Sequence, residues 1–454
     1  MTLRSSAVFA VLIVTAACSR QEAPPAPVTS PDSAIAAASA PGIVIDASVP
    51  PALPAPPFNV VLITIDSLRA DMPWAGYARP IAPRLTALHA RATSYPNAYA
   101  ISSFTSKSLG GLVSSRYPSE LARTGVFFTQ YLRSNEMVCE WLADAGVPCV
   151  AGMAHGYLAK GYAGFDQGFR DWRLVPGITF DFNTDPYITS DKLTPLAIEM
   201  LRDPTLTATP FFAWFHFMDP HDKYQPHDAG PHFGTGLRDL YDEEVLFTDG
   251  WVGKLVDFIE AQPWGARTVI AVSADHGEAF GEHHEFRHGH ELYEELVHVP
   301  LFFLVPGRSE GRAIEATRSQ IDLFPTIVAL LGKSPVASAR GLSFAPELLG
   351  GVPEPSRDVV CDLPRDDWNE RRRSLLHEGL KIIAFGDDAR FELYDLRADP
   401  AEHADLYWKR RDLADDMLRR YHEASHAIEE VAPAGGIPSH DGGPDAPAAR
   451  PPKP

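Results

Sequence analysis

The chain has 454 residues, with 40 Lys and Arg against 59 Asp and Glu, so its formal net charge is −19. A hydrophobic fraction of 45% and a charged fraction of 22% exclude wholesale disorder and a fibrous repeat. The acid excess argues against a nucleic-acid partner, which needs basic patches, and four cysteines exclude a disulfide-built scaffold.

At the start, Arg4 and the apolar run 7–17 have the form of an export signal, too short to span a bilayer permanently. The run ends in Thr15-Ala16-Ala17-Cys18, which resembles a bacterial lipobox with Thr15 in place of the usual aliphatic residue. Either Cys18 carries a lipid that holds the chain to a membrane, or this is a plain signal peptide with a chance cysteine. Both readings place the protein in the periplasm or on the outer surface. Residues 19–57 hold ten Pro and ten Ala, a composition that cannot bury a core and predicts an extended tether. Residues 432–454 have a similar Pro/Gly/Ala bias and are expected to be disordered. The fold is therefore sought in 58–350 and a smaller unit, 351–431.

The β-branched run 59–65 predicts a buried strand ending at Asp66. A short helix over 83–91 turns Leu85 and Leu88 inward, and 106–113 reads as a helix with Thr105 at its N-terminus. A helix over 136–145 stops at Gly146, before a strand at 147–151. Cys139 and Cys149 are ten apart and both exported, so they are either a disulfide or two buried thiols; Cys361 has no evident partner. The apolar run 210–218 ends at Asp219-Pro220-His221. Next come a helix over 244–260, a strand over 268–273 ending before Asp275-His276-Gly277, a strand at 300–305 and a helix over 321–331. After residue 351 the elements are short strands near Val359, at 380–385 and at 391–396, then a charged helix over 411–429. Alternating strands and helices indicate an α/β fold: a large, mainly parallel central sheet flanked by helices, with a smaller C-terminal α+β subdomain.

Asp66, His221 and Asp275-His276 sit just past the ends of strands, where open α/β sheets carry their active sites. Carboxylates with an imidazole suit one divalent cation; the nitrogen favours Zn or Mn, with Ca or Mg remaining open. Alone, Asp66 reads equally as a helix cap or turn acid. Residues 277–300 hold five of the 17 histidines: His283, His284, His288, His290 and His298. Some of these belong to a solvated loop.

Several motifs resemble, in order, those of the sulfatase family of the alkaline-phosphatase superfamily. They begin with Ile65-Asp66-Ser67-Leu68-Arg69 and Ser102-Ser103-Phe104-Thr105-Ser106-Lys107-Ser108-Leu109. Gly164-Phe165-Asp166-Gln167-Gly168-Phe169, Asp219-Pro220-His221 and Ala274-Asp275-His276-Gly277-Glu278 follow. Asp322-Leu323-Phe324-Pro325-Thr326 and Leu393-Tyr394-Asp395-Leu396 complete the series. The resemblance implies metal ligation by Asp66, Asp275 and His276, with Thr105 at the position where the family oxidises a Cys or Ser to formylglycine. Threonine cannot yield that aldehyde, and the Pro and Arg of the modification signature are here Lys107 and Leu109. Ser67 replaces the second acid of the opening motif, and Met153 replaces the lysine two residues before His155.

What remains is a metal-bound threonine nucleophile acting on a sulfate or phosphate ester, carried by a glycan, a lipid or a small molecule. Superfamily relatives with a threonine nucleophile are phosphodiesterases and envelope phosphoethanolamine or glycerol-phosphate transferases, so transfer stays open. So does a membrane-tethered pseudoenzyme that only binds. Lys107 is expected either to pair with a non-bridging oxygen or to lie on the surface. His221 is the favoured donor of the leaving-group proton, with His155, His288 and His290 as further candidates.

Overall fold

The seven residues Asn59–Ile65 form strand β1, and all of them are buried. Val60 and Leu62 point into one apolar cluster and Val61, Ile63 and Ile65 into another, so both faces of the strand are covered. This explains why the run is continuously apolar rather than alternating. The structure is a computed structural model that describes residues 54–438 apart from 181–185, 228–229 and 335. The expected signal, Cys18 and most of the expected tether lie outside the described residues.

Further strands of the main sheet are β2 (Thr93–Ser94), β3 (Cys149–Met153), β4 (Asp171–Leu174), β5 (Phe212–Phe217), β6 (Thr268–Ala274), β7 (Leu301–Leu304) and β8 (Arg312–Ala313), in the spatial order β8-β2-β7-β6-β1-β5-β3-β4. The five strands β6-β1-β5-β3-β4 are parallel, while β7 runs antiparallel to both β6 and β2. Helices α1 (Pro83–His89), α2 (Thr105–Ser114), α3 (Val138–Asp144), α4 (Ser190–Leu201), α5 (Leu237–Glu260) and α6 (Leu323–Leu330) cover the two faces. Leu109 and Leu112 of α2 pack with Val60 and Leu62; Val252, Leu255 and Val256 of α5 pack with Val61 and Ile63. A second, antiparallel sheet follows: β9 (Val359–Leu363), β10 (Arg372–His377), β11 (Leu380–Phe385) and β12 (Arg390–Asp395). Helix α7 (Arg411–His426) packs Ala414, Met417 and Tyr421 against it. The expected fold class is the observed one.

Three details differ from the expectation. Helix α4 was not anticipated, because Pro195 lies inside it and breaks the pattern. The carboxylate of Asp219 compensates at its start, accepting from Thr189 N (2.6 Å), Thr189 Oγ1 (2.6 Å) and Ser190 N (2.8 Å). Asp219 thus anchors a helix rather than joining the catalytic constellation. Strand β10 was hidden by its arginines; Arg373 is buried on Asp362 (2.8 Å) and Ser425 (2.6 Å). The first residues of the tail expected to be disordered from 432 instead pack: Ala434 N donates to Arg123 O at 2.7 Å. Residues 439–454 lie outside the described residues. Among the described residues no helix is long and apolar enough to cross a membrane.

Cys139 on α3 and Cys149 on β3 form a disulfide with Cα atoms 6.0 Å apart, and Cys361 is a free, buried thiol. We expect a non-reducing digest to yield one Cys139–Cys149 cross-linked peptide. The double alanine variant should lose about 3 kcal/mol in urea unfolding, the value for closing so short a loop.

Candidate active site

Because β1, β5 and β6 are parallel neighbours, their C-terminal ends meet along one edge of the sheet. Ile65 pairs with Ala274 and with Phe217 in register, which sets Asp66 and Asp275 side by side at the first position past each strand. Both carboxylates are fully buried. Asp66 Oδ1 accepts from Ser67 Oγ (2.9 Å), and its Oδ2 lies 3.2 Å from His216 Nε2. Asp275 Oδ1 accepts from the backbone N–H groups of His276 (2.9 Å) and Ser67 (3.3 Å). Asp275 Oδ2 is buried and accepts no hydrogen bond among the described residues.

Helix α2 begins at this edge. Phe104 is extended, and Thr105 is the first helical residue. The Thr105 hydroxyl lies between Asp66 Oδ2 (3.2 Å) and His276 Nε2 (3.0 Å). His276 Nδ1 donates to Gly277 O at 2.9 Å. A carbonyl can only accept, so in the neutral ring Nε2 carries the lone pair turned towards Thr105, Asp275 Oδ2 (3.5 Å) and Asp66 Oδ1 (3.7 Å).

The set fits a divalent cation. Asp66, His216 and Asp275 each offer a ligand atom within 4.8 Å of the others, and His276 Nε2 adds a second nitrogen. The donorless Asp275 Oδ2 is the kind of buried anionic atom that a cation satisfies. Burial and the charge of Asp66 push the Asp275 carboxyl well above its usual range. For Asp66 burial acts upward too, but the His216 hydrogen bond and the charges of His221, His276 and His216 outweigh it and hold the group well below.

The four expected ligating residues Asp66, Thr105, Asp275 and His276 therefore come together, and His216 joins them unforeseen. It lies inside the apolar run of β5, where an imidazole facing Thr64 across the sheet was the available signal. His216 Nδ1 lies 2.8 Å from Thr64 Oγ1, which also accepts the Trp214 indole N–H at 2.8 Å.

The other expected catalytic residues divide into two groups. His155, His221 and His288 form a ring cluster beside the carboxylates: His221 lies 4.9 Å from His288 and 5.9 Å from His155 between centroids, and His288 lies 4.2 Å from His276. Burial lowers all three, His155 to about 3. His221 Nδ1 donates to Asp222 O (2.5 Å), and His288 Nδ1 meets Glu278 Oε1 (3.1 Å). Burial raises the Glu278 carboxyl to about 7.

His290 and Lys107 lie one layer out. His290 Nδ1 donates to Asn369 Oδ1 (2.6 Å), and its ring stacks on Phe127. Lys107 is neither a surface lysine nor turned to the ester: it is fully buried, with Nζ on Asp366 Oδ2 (2.7 Å) and Phe127 O (2.5 Å). Of the remaining loop histidines, His283 stacks on Tyr293, His298 bonds Pro96 O and His284 ends the short turn Glu282–His284; none joins the centre.

A sulfatase family model matches residues 58–333, and a model described as the C-terminal part of N-sulphoglucosamine sulphohydrolase matches 281–426. Arylsulfatase K of Gallus gallus is 27% identical over 49% of this chain and 43% of its own. The delta 4,5-hexuronate-2-O-sulfatase of Bacteroides thetaiotaomicron is 26% identical over 42% of this chain and 44% of its own. The chain thus spans under half the length of these two relatives. The crystal structure of a phosphonate monoester hydrolase of Agrobacterium radiobacter superposes with a TM-score of 0.67 at 18% identity, covering 82% of this chain and 96% of that one.

The buried Lys107–Asp366 pair generates a stability prediction. Removing one partner of such a pair strands the other's charge, which costs on the order of 3–5 kcal/mol. Asp366 keeps two backbone donors, Trp368 N and Asn369 N, each at 2.8 Å, so Lys107→Met should fall near the lower end, about 3 kcal/mol, in chemical unfolding.

Proposed function

Since the chain belongs to the sulfatase family, we propose that it is a metal-dependent hydrolase of a sulfate or phosphate ester with Thr105 as its nucleophile. The observation that carries this reading is the Thr105 hydroxyl, held at 3.2 Å from Asp66 and 3.0 Å from His276 at the start of a helix. A pseudoenzyme has no need to keep a hydroxyl between two proton acceptors at that position.

A primary requirement is activation, because a threonine hydroxyl is a weak nucleophile at neutral pH. Asp66, His216, Asp275 and His276 would hold the cation, whose positive charge would lower the hydroxyl pKa and offset that of the ester. Two imidazoles in this set support Zn or Mn over Ca or Mg. The hydroxyl proton passes to Asp66 Oδ2, which it already faces at 3.2 Å, leaving Asp66 Oδ1 and His276 Nε2 for the cation. As the bond from Oγ1 to phosphorus or sulfur forms, the bond to the leaving alcohol oxygen breaks, and that oxygen takes a proton from an imidazole. His221 is assigned this role because it is less enclosed than His155 or His288. The N-terminal dipole of α2 favours negative charge on the central group. Water then attacks the central atom of the Thr105 adduct and releases the inorganic anion. An adduct without a geminal hydroxyl has no other exit, which leans the reading towards phosphorus.

The names of a relative and of a matching family model, a hexuronate-2-O-sulfatase and an N-sulphoglucosamine sulphohydrolase, support a sulfated glycan as the substrate class. Export to an oxidising compartment is supported by the Cys139–Cys149 disulfide, and a lipid on Cys18 remains part of the proposal.

We expect Thr105→Ala to lower kcat by several orders of magnitude, as deletion of a nucleophile does. Thr105→Ser should keep measurable turnover, and mass spectrometry of a trapped intermediate should place the adduct on the peptide containing Thr105. An active Thr105→Ala enzyme would overturn the assignment. Protein purified without chelator should contain one Zn or Mn per chain by elemental analysis. His216→Ala should lower that occupancy at least tenfold, on the scale of losing a ligand or its support.

A further inference from the structure

Trp368 stands on the segment that joins β9 to β10, so it comes from the C-terminal subdomain, yet it is tied to the nucleophile by two ring contacts. Its indole stacks on Phe127 at 5.3 Å and 24°; Phe127 packs on Phe104 at 3.9 Å; Phe104 directly precedes Thr105. The residue is 48% exposed, an unusual state for so large an apolar surface beside an active centre. Trp408, the more exposed tryptophan at 76%, lies away from the site and is covered in part by Arg411.

The backbone under Trp368 is fixed from both sides. Asp366 Oδ1 accepts from Trp368 N and Asn369 N, while its Oδ2 holds the buried Lys107. Asp367 Oδ1 accepts from Phe127 N at 2.7 Å, and Asn369 Nδ2 donates to Gly289 O at 3.0 Å, one residue from His288. An exposed aromatic ring on a backbone held this firmly binds without first having to be ordered, which is the condition for useful affinity from one contact.

We propose that Trp368 is a specificity-determining residue that stacks on a sugar ring of the leaving group, one or more units from the ester. The inference rests on the glycan reading above and names the part of the chain that would read it. The ligand chemistry follows from the surroundings. Arg365 and Glu370, which flank the indole in sequence, are exposed, while Asp366 and Asn369 turn inward beneath it, so the apolar face is bordered by charged, solvated side chains. An acyl chain would need an apolar groove on all sides. A pyranose presents a flat C–H face to the ring and keeps its hydroxyls in contact with a wet rim, which matches a half-exposed indole.

The test uses the full chain. Binding of a sulfated glucosamine–uronate hexasaccharide is measured by calorimetry in the Thr105→Ala background, and turnover of the same oligosaccharide in the background with Thr105 intact. Trp368→Ala should weaken binding and raise KM about tenfold while kcat stays within twofold, the size of one aromatic contact. Trp368→Phe should recover most of the loss, and Trp408→Ala should change neither quantity. A Trp368→Ala affinity within twofold of its parent, absence of hexasaccharide binding to the parent, or a fall confined to kcat would each overturn the inference. Turnover of 4-nitrophenyl sulfate and 4-nitrophenyl phosphate by the unsubstituted enzyme separates this from the broader reading. If neither is cleaved, nor the hexasaccharide, the hydrolase assignment falls, and the binding data still decide the role of Trp368.

Discussion

Two carboxylates that water does not reach, at adjacent positions of adjacent parallel strands, are the constraint from which the rest of the site follows. Parallel pairing of β1 with β6 puts Asp66 and Asp275 at the same level, and burial denies them the solvent that would screen their repulsion. Everything within reach answers this charge. Ser67 Oγ, Thr105 Oγ1 and two backbone N–H groups donate to it, His216 Nε2 lies 3.2 Å from Asp66, and His276 turns its bare Nε2 towards both acids. Donors are still one short, since Asp275 Oδ2 has none among the described residues. A site that concentrates negative charge and then leaves an oxygen bare is suited to a cation, and the same cation would make a threonine hydroxyl reactive.

The C-terminal subdomain bears on the site through buried ion pairs rather than through apolar packing alone. Lys107 at the start of α2 meets Asp366, and Lys381 of β11 meets Glu294 at 3.0 Å; beside them Asp362 of β9 accepts from Ser119 N and Oγ. Such pairs add little net stability, because desolvation consumes most of the Coulombic gain. Their geometry is narrow, however, and a misplaced partner is heavily penalised. They therefore fix where the subdomain sits more than how strongly it is held, and a residue such as Trp368 acquires a defined position relative to Thr105.

The parts of this arrangement legible in the sequence are those governed by local pattern. Asp66 and Asp275-His276 could be placed because each follows an unbroken β-branched run, and strand ends in α/β sheets are where polar residues act. His216 escaped notice because the same reasoning treats residues inside such a run as core; only the register opposite Thr64, a tertiary fact, turns it towards Asp66. Lys107 was misplaced for a similar reason. A lysine is ordinarily exposed, and its burial depends on Asp366, 259 residues further along the chain. Helix α4 is a tertiary override of another kind, a proline-interrupted segment whose N-terminus is capped by Asp219 from across the fold. Aspartate in the Asp-Pro-His motif thus had a structural task while its histidine neighbour joined the catalytic cluster.

The departures from the family pattern can be understood together. Ser67 takes the place of an acid and removes one negative charge from the buried set, while keeping a hydrogen bond to Asp66. Met153, where the family has a lysine, is fully buried and pairs in register with His216, so a positive charge is removed alongside the negative one. Leu109, in place of the signature arginine, packs in the core with Val60 and Leu62. Against the family pattern the buried set carries fewer charges of both signs, and β5 places the imidazole of His216 beside Asp66. Exchanging an anionic oxygen for an imidazole leaves a bound divalent cation less fully neutralised by its ligands. On the proposed reading, that positive charge would act on the substrate anion and on the Thr105 hydroxyl. On the reading proposed above, the ligands of a bound cation would take over part of what cationic side chains do in the family pattern.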